Sequence, residues 1–212
     1  MKIHTFKFSI LLLLAALVAL ISPQISSATD EGCELNAIAT KLQSQPELSR
    51  FEQEKSIKVL SKPLYSSGYL LLSQDSGLVW QTLEPIKSTT VITDTEFKQY
   101  NKSDQLISLP DNGNQPASQL ISSTFLAILS GSFTELDKNF TVATRCDDSQ
   151  WTISLTPTNS TIDNVMHHIT VTGSQRIQRI AFTEANDDVT QLSFTPDTTE
   201  HMITQLREYL VD

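Results

Sequence analysis

From Ser66 to Pro85 the chain reads Ser-Ser-Gly-Tyr-Leu-Leu-Leu-Ser-Gln-Asp-Ser-Gly-Leu-Val-Trp-Gln-Thr-Leu-Glu-Pro, and this stretch constrains the fold more than any other. Two apolar runs, Tyr69 to Leu72 and Leu78 to Leu83, flank a polar turn, Ser73 to Gly77, which is the signature of a β-hairpin. Side chains alternate along a strand, so Leu70 and Leu72 share one face while Tyr69 and Leu71 share the other. Both faces are apolar. A sheet with one wet face would alternate apolar with polar, so this hairpin must be covered on both sides, by chain or by ligand.

The residues before and after it extend the pattern. Lys2 and Lys7, the apolar run Phe8 to Ile21 and the small residues Ser26-Ser27-Ala28 read as a secretory signal peptide over residues 1–28, with an uncleaved anchor as the alternative. Residues 29–212 then have the length of one domain. The chain carries a net charge of −9, and loss of Lys2 and Lys7 makes it more acidic. Such a surface is repelled by nucleic acid and by anionic bilayers, and neither is expected as a partner. An exported chain with two cysteines, Cys33 and Cys146, favours a disulfide between them over two free thiols.

Leu35, Ile38 and Leu42 recur at helical spacing within Glu34 to Gln45, ended by Pro46. Strands are expected at Phe51 to Val59, Thr89 to Thr93, Glu96 to Tyr100 and Gln105 to Leu109, the pattern of a meander. A turn-rich loop, Asp111 to Pro116, leads into a helix from Ala117 to Leu129 whose apolar residues cover a broad arc, with Ser130-Gly131 as its stop. That breadth fits a core helix or a lid over a cavity. Further strands follow at Phe140 to Arg145, Trp151 to Thr156, His168 to Thr172, Ile177 to Glu184 and Val189 to Thr195. Met202, Ile203, Leu206 and Leu210 then place a closing helix on the sheet. Short strands separated by turns indicate an antiparallel sheet or barrel, not βαβ units.

No catalytic motif is present: there is no Gly-x-Ser-x-Gly elbow, His-Glu-x-x-His pair, phosphate loop or dinucleotide fingerprint. His167 and His168 are adjacent and would face opposite ways in a strand, so one metal ion could not readily use both. Asp187-Asp188 lies in a turn context. No enzyme activity, cofactor or metal is expected.

Several strings, in order, resemble the periplasmic outer-membrane lipoprotein carrier proteins, the LolA-like family. They are an N-terminal helix, Phe51-x-Gln53-x-Lys55, Gly68 before an apolar strand, Trp80 with Pro85 five residues on, a helix before Phe140, Trp151-x-Ile-x-Leu-Thr-Pro157, and a late hairpin pair from Ile177 to Phe194. The resemblance implies an α+β fold: a strongly curved antiparallel half-barrel with helices covering its concave face. It implies a monomeric carrier that shields lipoprotein acyl chains between an inner-membrane donor complex and an outer-membrane acceptor. A binding module for another lipid, glycolipid or small apolar ligand is the alternative. The expected ligand wall is Phe51, Leu70, Leu72, Gln74, Leu78, Trp80, Phe125 and Leu129. The family pattern closes the first hairpin strand with an arginine and a proline, and that arginine holds the lid backbone; this sequence has Gln74 and Asp75, so only an uncharged amide remains for that bond.

Overall fold

The computed structural model describes residues 33–43, 45–73, 75–107, 115–147 and 149–211, with the backbone alone at 115–119 and 134. The expected signal peptide, Gln74 and most of the Asp111–Pro116 loop lie outside the described residues.

Ten strands form one antiparallel sheet: β1 (Leu48–Ser56), β2 (Leu64–Ser73), β3 (Gly77–Glu84), β4 (Ser88–Ile92), β5 (Phe97–Tyr100), β6 (Phe140–Cys146), β7 (Trp151–Pro157), β8 (Met166–Gly173), β9 (Ile177–Glu184) and β10 (Val189–Asp197). Their order is β5-β4-β3-β2-β1-β10-β9-β8-β7-β6. Two meanders are therefore joined at one seam, where β1 pairs with β10. Because β5 and β6 are the opposite edges, the chain between them has to cross the sheet, a width of roughly 43 Å if it were flat. The crossing contains α2 (Gln115–Ser130), about 24 Å long at helical rise, and a 3-10 segment, Phe133–Lys138.

Curvature makes that crossing feasible. Side chains from all ten strands join one apolar cluster with α1 (Leu35–Leu42) and α2, so this face of the open sheet wraps around its helices. The opposite face carries a smaller cluster in which Leu48, Leu71, Val79 and Val91 pack against Met202 and Leu206 of α4 (Glu200–Glu208). The double-faced hairpin is thereby explained: Leu70 and Leu78 lie under α1 and α2, while Leu71 and Val79 lie under α4. Each fully buried aliphatic side chain contributes about 1.5–3 kcal/mol, which suffices to hold both layers.

The hairpin register follows the expected alternation, with Leu70 opposite Trp80 and Leu72 opposite Leu78. Its turn ends at Gly77, at φ 120°, where a Cβ would lie 2.3 Å from the Ile92 carbonyl oxygen. Two elements differ from the sequence reading. β1 begins at Leu48, because Leu48 is a core residue of the α4 face, and ends at Ser56. Beyond β5, in place of a strand from Gln105, there is one bridge from Tyr100 to Leu106 and a hydrogen bond from Ile107 N–H to the Gln99 carbonyl; Asn101 diverts the chain there by accepting from Ser103 and Gln105 N–H. α2 comes nearest in backbone to β4, the 3-10 segment and α3 (Ser160–Asp163).

Cys33 and Cys146 are bonded, with Cα atoms 5.4 Å apart. The bond ties the start of α1 to the end of edge strand β6.

Candidate functional site

The site is built on the inner face, where the strands contribute every second side chain. Phe51, Leu70, Leu78 and Leu129 are buried, and Leu72, Trp80 and Phe125 are half-buried; all seven belong to the inner cluster. Gln74, the eighth expected wall residue, lies outside the described residues.

An aromatic line crosses the seam of the two meanders. The rings of Phe51 and Trp80 are 4.4 Å apart, and Trp80 meets Phe194 edge-on at 6.3 Å. Phe51 is on β1 and Trp80 on β3, with β2 between them. They meet because the β2 residue opposite Phe51 is Gly68, which raises no side chain between the rings. A Cβ at Gly68 would lie 1.9 Å from the Gln81 carbonyl oxygen, so the close backbone approach of β3 demands glycine as well.

α2 covers this floor unevenly. Ala127, Ile128 and Leu129 are buried in succession, whereas from Leu120 to Leu126 buried Ser122 and Thr124 alternate with half-buried Leu120, Ile121, Phe125 and Leu126 and exposed Ser123. Phe125 packs edge-on against Phe182 of β9 at 5.7 Å. The C-terminal end is fixed further by a glycine cap: Gly131, at φ 74°, donates to the Ile128 carbonyl and Ser132 to that of Ala127. The Leu129 carbonyl, beyond reach of these donors, accepts from Gln45 Nε2 at 2.8 Å. The same amide accepts, through Oε1, from Ile177 N–H at 3.1 Å. Gln45 thus joins the end of α2 to the start of β9. Sequence reasoning missed it, because a polar residue before a proline reads only as a helix terminus.

Two spaces adjoin this layer. A small pocket of about 20 Å³ is lined by Gln45, Leu70, Leu72, Leu129, Arg176 and Phe194. A cleft of about 990 Å³ opens between the β2–β3 turn, the β4–β5 turn, α2 and the 3-10 segment. Leu72 lines both. The cleft is at the upper end of the range for ligand pockets. Ile92, Phe97, Leu120 and Leu126 give it apolar walls, and among its charged lining Asp75, Asp94, Glu96 and Glu135 outnumber Lys138, which pairs with Glu135.

Among the described residues no group of three or more His, Cys, Asp or Glu could hold a metal ion. His167 Nδ1 is 3.0 Å from Asp163 Oδ1 at the surface. Asp187 and Asp188 shape the β9–β10 turn: Asp187 has φ 68°, and Asp188 accepts from Lys58 N–H and the Asn186 amide. Lys58, bonded to Asp187, lowers the pKa of that carboxyl. Among the described residues no helix is long and apolar enough to cross a membrane.

Residues 48–205, from the first residue of β1 into α4, match the family model described as outer membrane lipoprotein carrier protein LolA. The chain belongs to this family. Similar solved structures include a LolA superfamily protein from Nitrosomonas europaea, 10% identical, covering 80% of this chain and 96% of that one at a TM-score of 0.40. The MucA/MucB complex of Pseudomonas aeruginosa is also similar, 9% identical, covering 80% of this chain and 58% of that one at 0.43. The comparison with curated proteins found no match. The LolA family is one of carriers and binding proteins, and in this member of it an apolar inner face adjoins an open cleft.

Proposed function

We propose that this protein is a periplasmic carrier that shields the acyl chains of a lipoprotein between an inner-membrane donor complex and an outer-membrane acceptor. The observation that carries the reading is the apolar inner face, drawn from every strand, lying under α2 and next to an open cleft that this helix also lines. Residues 1–28 would direct export, and residues 29–212 would form the carrier domain. Membership of the LolA family supports the cargo class.

The physics of such a carrier is burial. Each acyl methylene removed from water gains about 0.8 kcal/mol, so chains of lipid length are held without charged recognition. Movement of α2 away from the sheet widens the cleft toward Leu72, and return of the helix covers the chain. The acidic surroundings of the cleft disfavour free anionic phospholipid and leave an uncharged, acylated head as the better match.

The test is Leu72→Glu. Leu72 is half-buried and lines both spaces, so the fold should tolerate a carboxylate that an acyl chain would not. Uptake of a fluorescent acyl probe is expected to fall at least tenfold in the folded variant. Unchanged uptake would remove the inner face as the binding site.

A further inference from the structure

Arg176 is the feature of the small pocket that packing leaves unexplained. Among the described residues its Nε is the one buried side-chain nitrogen or oxygen without a hydrogen-bond partner, and it lines a space whose apolar walls include Leu70, Leu72, Leu129 and Phe194 and whose polar ones are Gln45, Ser49 and Glu47, the last already paired with Arg207. A buried guanidinium N–H with nothing to donate to is costly, and native proteins seldom keep one.

Its position is well fixed. Arg176 ends the β8–β9 turn, where its carbonyl accepts from Ser174 N–H at 3.2 Å. The Ser174 carbonyl in turn accepts from the indole of Trp151 at 2.6 Å, and Trp151 is itself buried. Gly173 allows this closeness, since a Cβ there would lie 2.5 Å from the Trp151 ring. The next residue, Ile177, donates its N–H to Gln45, the residue that holds the end of α2. The backbone that carries the donor is therefore held next to the residue that caps the covering helix.

We infer that Arg176 binds the carbonyl oxygen of an ester- or amide-linked acyl group, fixing the head of the ligand at the small pocket while its chain runs along Leu70 and Leu72. The inference rests on the carrier reading and adds a polar anchor to it. About 20 Å³ accommodates one water-sized group, which is the size of a carbonyl oxygen. A planar guanidinium presents its N–H groups in a rigid fork and donates strongly to oxygen.

The experiment compares two fluorescent polyene probes of equal chain length, a fatty-acid methyl ester and the methyl ether that lacks the carbonyl, against the wild-type protein, Arg176→Met and Arg176→Lys. The wild type is expected to bind the ester about tenfold more tightly than the ether. Arg176→Met should bind both with the wild-type affinity for the ether, and Arg176→Lys should recover part of the preference. Arg176→Met should also melt no lower than the wild type, because an unpartnered buried donor is gone; a lower melting point would show that the guanidinium is already satisfied and would overturn the inference. An equal affinity of the wild type for ester and ether would leave the pocket a water site, and an ester preference kept in Arg176→Met would place the anchor elsewhere. Either result overturns the inference and leaves the carrier reading standing. Failure of the wild type to bind either probe overturns the carrier reading itself.

Discussion

The side-chain amide of Gln45 donates to the Leu129 carbonyl at 2.8 Å from 84 residues away in the chain, and so closes the last turn of α2 with a group from the α1–β1 linker. Its other end accepts the Ile177 N–H. One residue thereby couples the covering helix to the sheet that it covers.

Replacing Gln45 with leucine should leave two backbone groups without partners, at about 1–3 kcal/mol each. Hydrogen exchange at the Ile177 amide is expected to quicken by tenfold or more, and acyl probe release should speed up with it. Gln45→Glu separates the two bonds: the carboxylate still accepts from Ile177 but cannot donate to Leu129. Exchange at Ile177 should then stay slow while the end of α2 loosens. Unaltered exchange in the leucine variant would show that the amide holds nothing.

The Cys33–Cys146 bond closes a separation of 113 residues, worth about 4–5 kcal/mol in the chain-entropy model. The double serine variant should melt roughly 10 °C lower, at about 2–4 °C per kcal/mol for a chain of this size. Thiol labelling of the denatured, unreduced protein should find no reactive cysteine. Two labelled thiols per chain would contradict the bond.

The sequence made much of this legible and left some of it hidden for identifiable reasons. Alternation placed Leu70, Leu72, Leu78 and Trp80 on one face, and the structure pairs them as Leu70 with Trp80 and Leu72 with Leu78. Periodicity found α1, α2 and α4, because each helix buries a stripe. It did not say which face of the sheet each helix takes, since Met202 and Leu206 would suit either side; only the tertiary arrangement puts them behind Leu71 and Val79. Gln45 and Arg176 were invisible for another reason. Single polar residues beside a proline or in a hairpin turn look like ordinary surface, and their burial depends on elements far away in the chain.

Gly68→Ala should destabilise by at least about 3 kcal/mol, because the added Cβ meets β3 backbone at 1.9 Å and backbone cannot rotate away. Phe51 and Trp80 would also separate. Denaturant melts together with a change in tryptophan emission check this, and a melt within 0.5 kcal/mol of the wild type, on the order expected for a neutral surface change, would contradict it.

The α4 face should depend on pH. Tyr209 Oη donates to Asp104 Oδ1 at 2.7 Å, and Lys87 also bonds that carboxyl. The hydrogen bonds from Lys87 and Tyr209 lower the Asp104 pKa, and burial followed by Asp104 raises that of Tyr209. A lowered carboxyl pKa stabilises the fold above its unfolded value of about 4 and loses that contribution as pH falls through the folded value; a raised phenol pKa stabilises below about 10 and loses it above. Asp104→Asn should flatten the acid limb of the stability profile and leave acyl probe binding intact, since the pair lies on the face away from α2. An acid limb identical to that of the wild type would show that this carboxyl does not report on α4.

The most direct measurement of the central claim is native mass spectrometry of residues 29–212 purified from the periplasm without detergent. A carrier should arrive partly loaded with acylated species, which delipidation removes and added acyl ligand restores, and Leu72→Glu should arrive empty. A wild-type protein that is empty as isolated and takes up no acyl ligand would contradict the account.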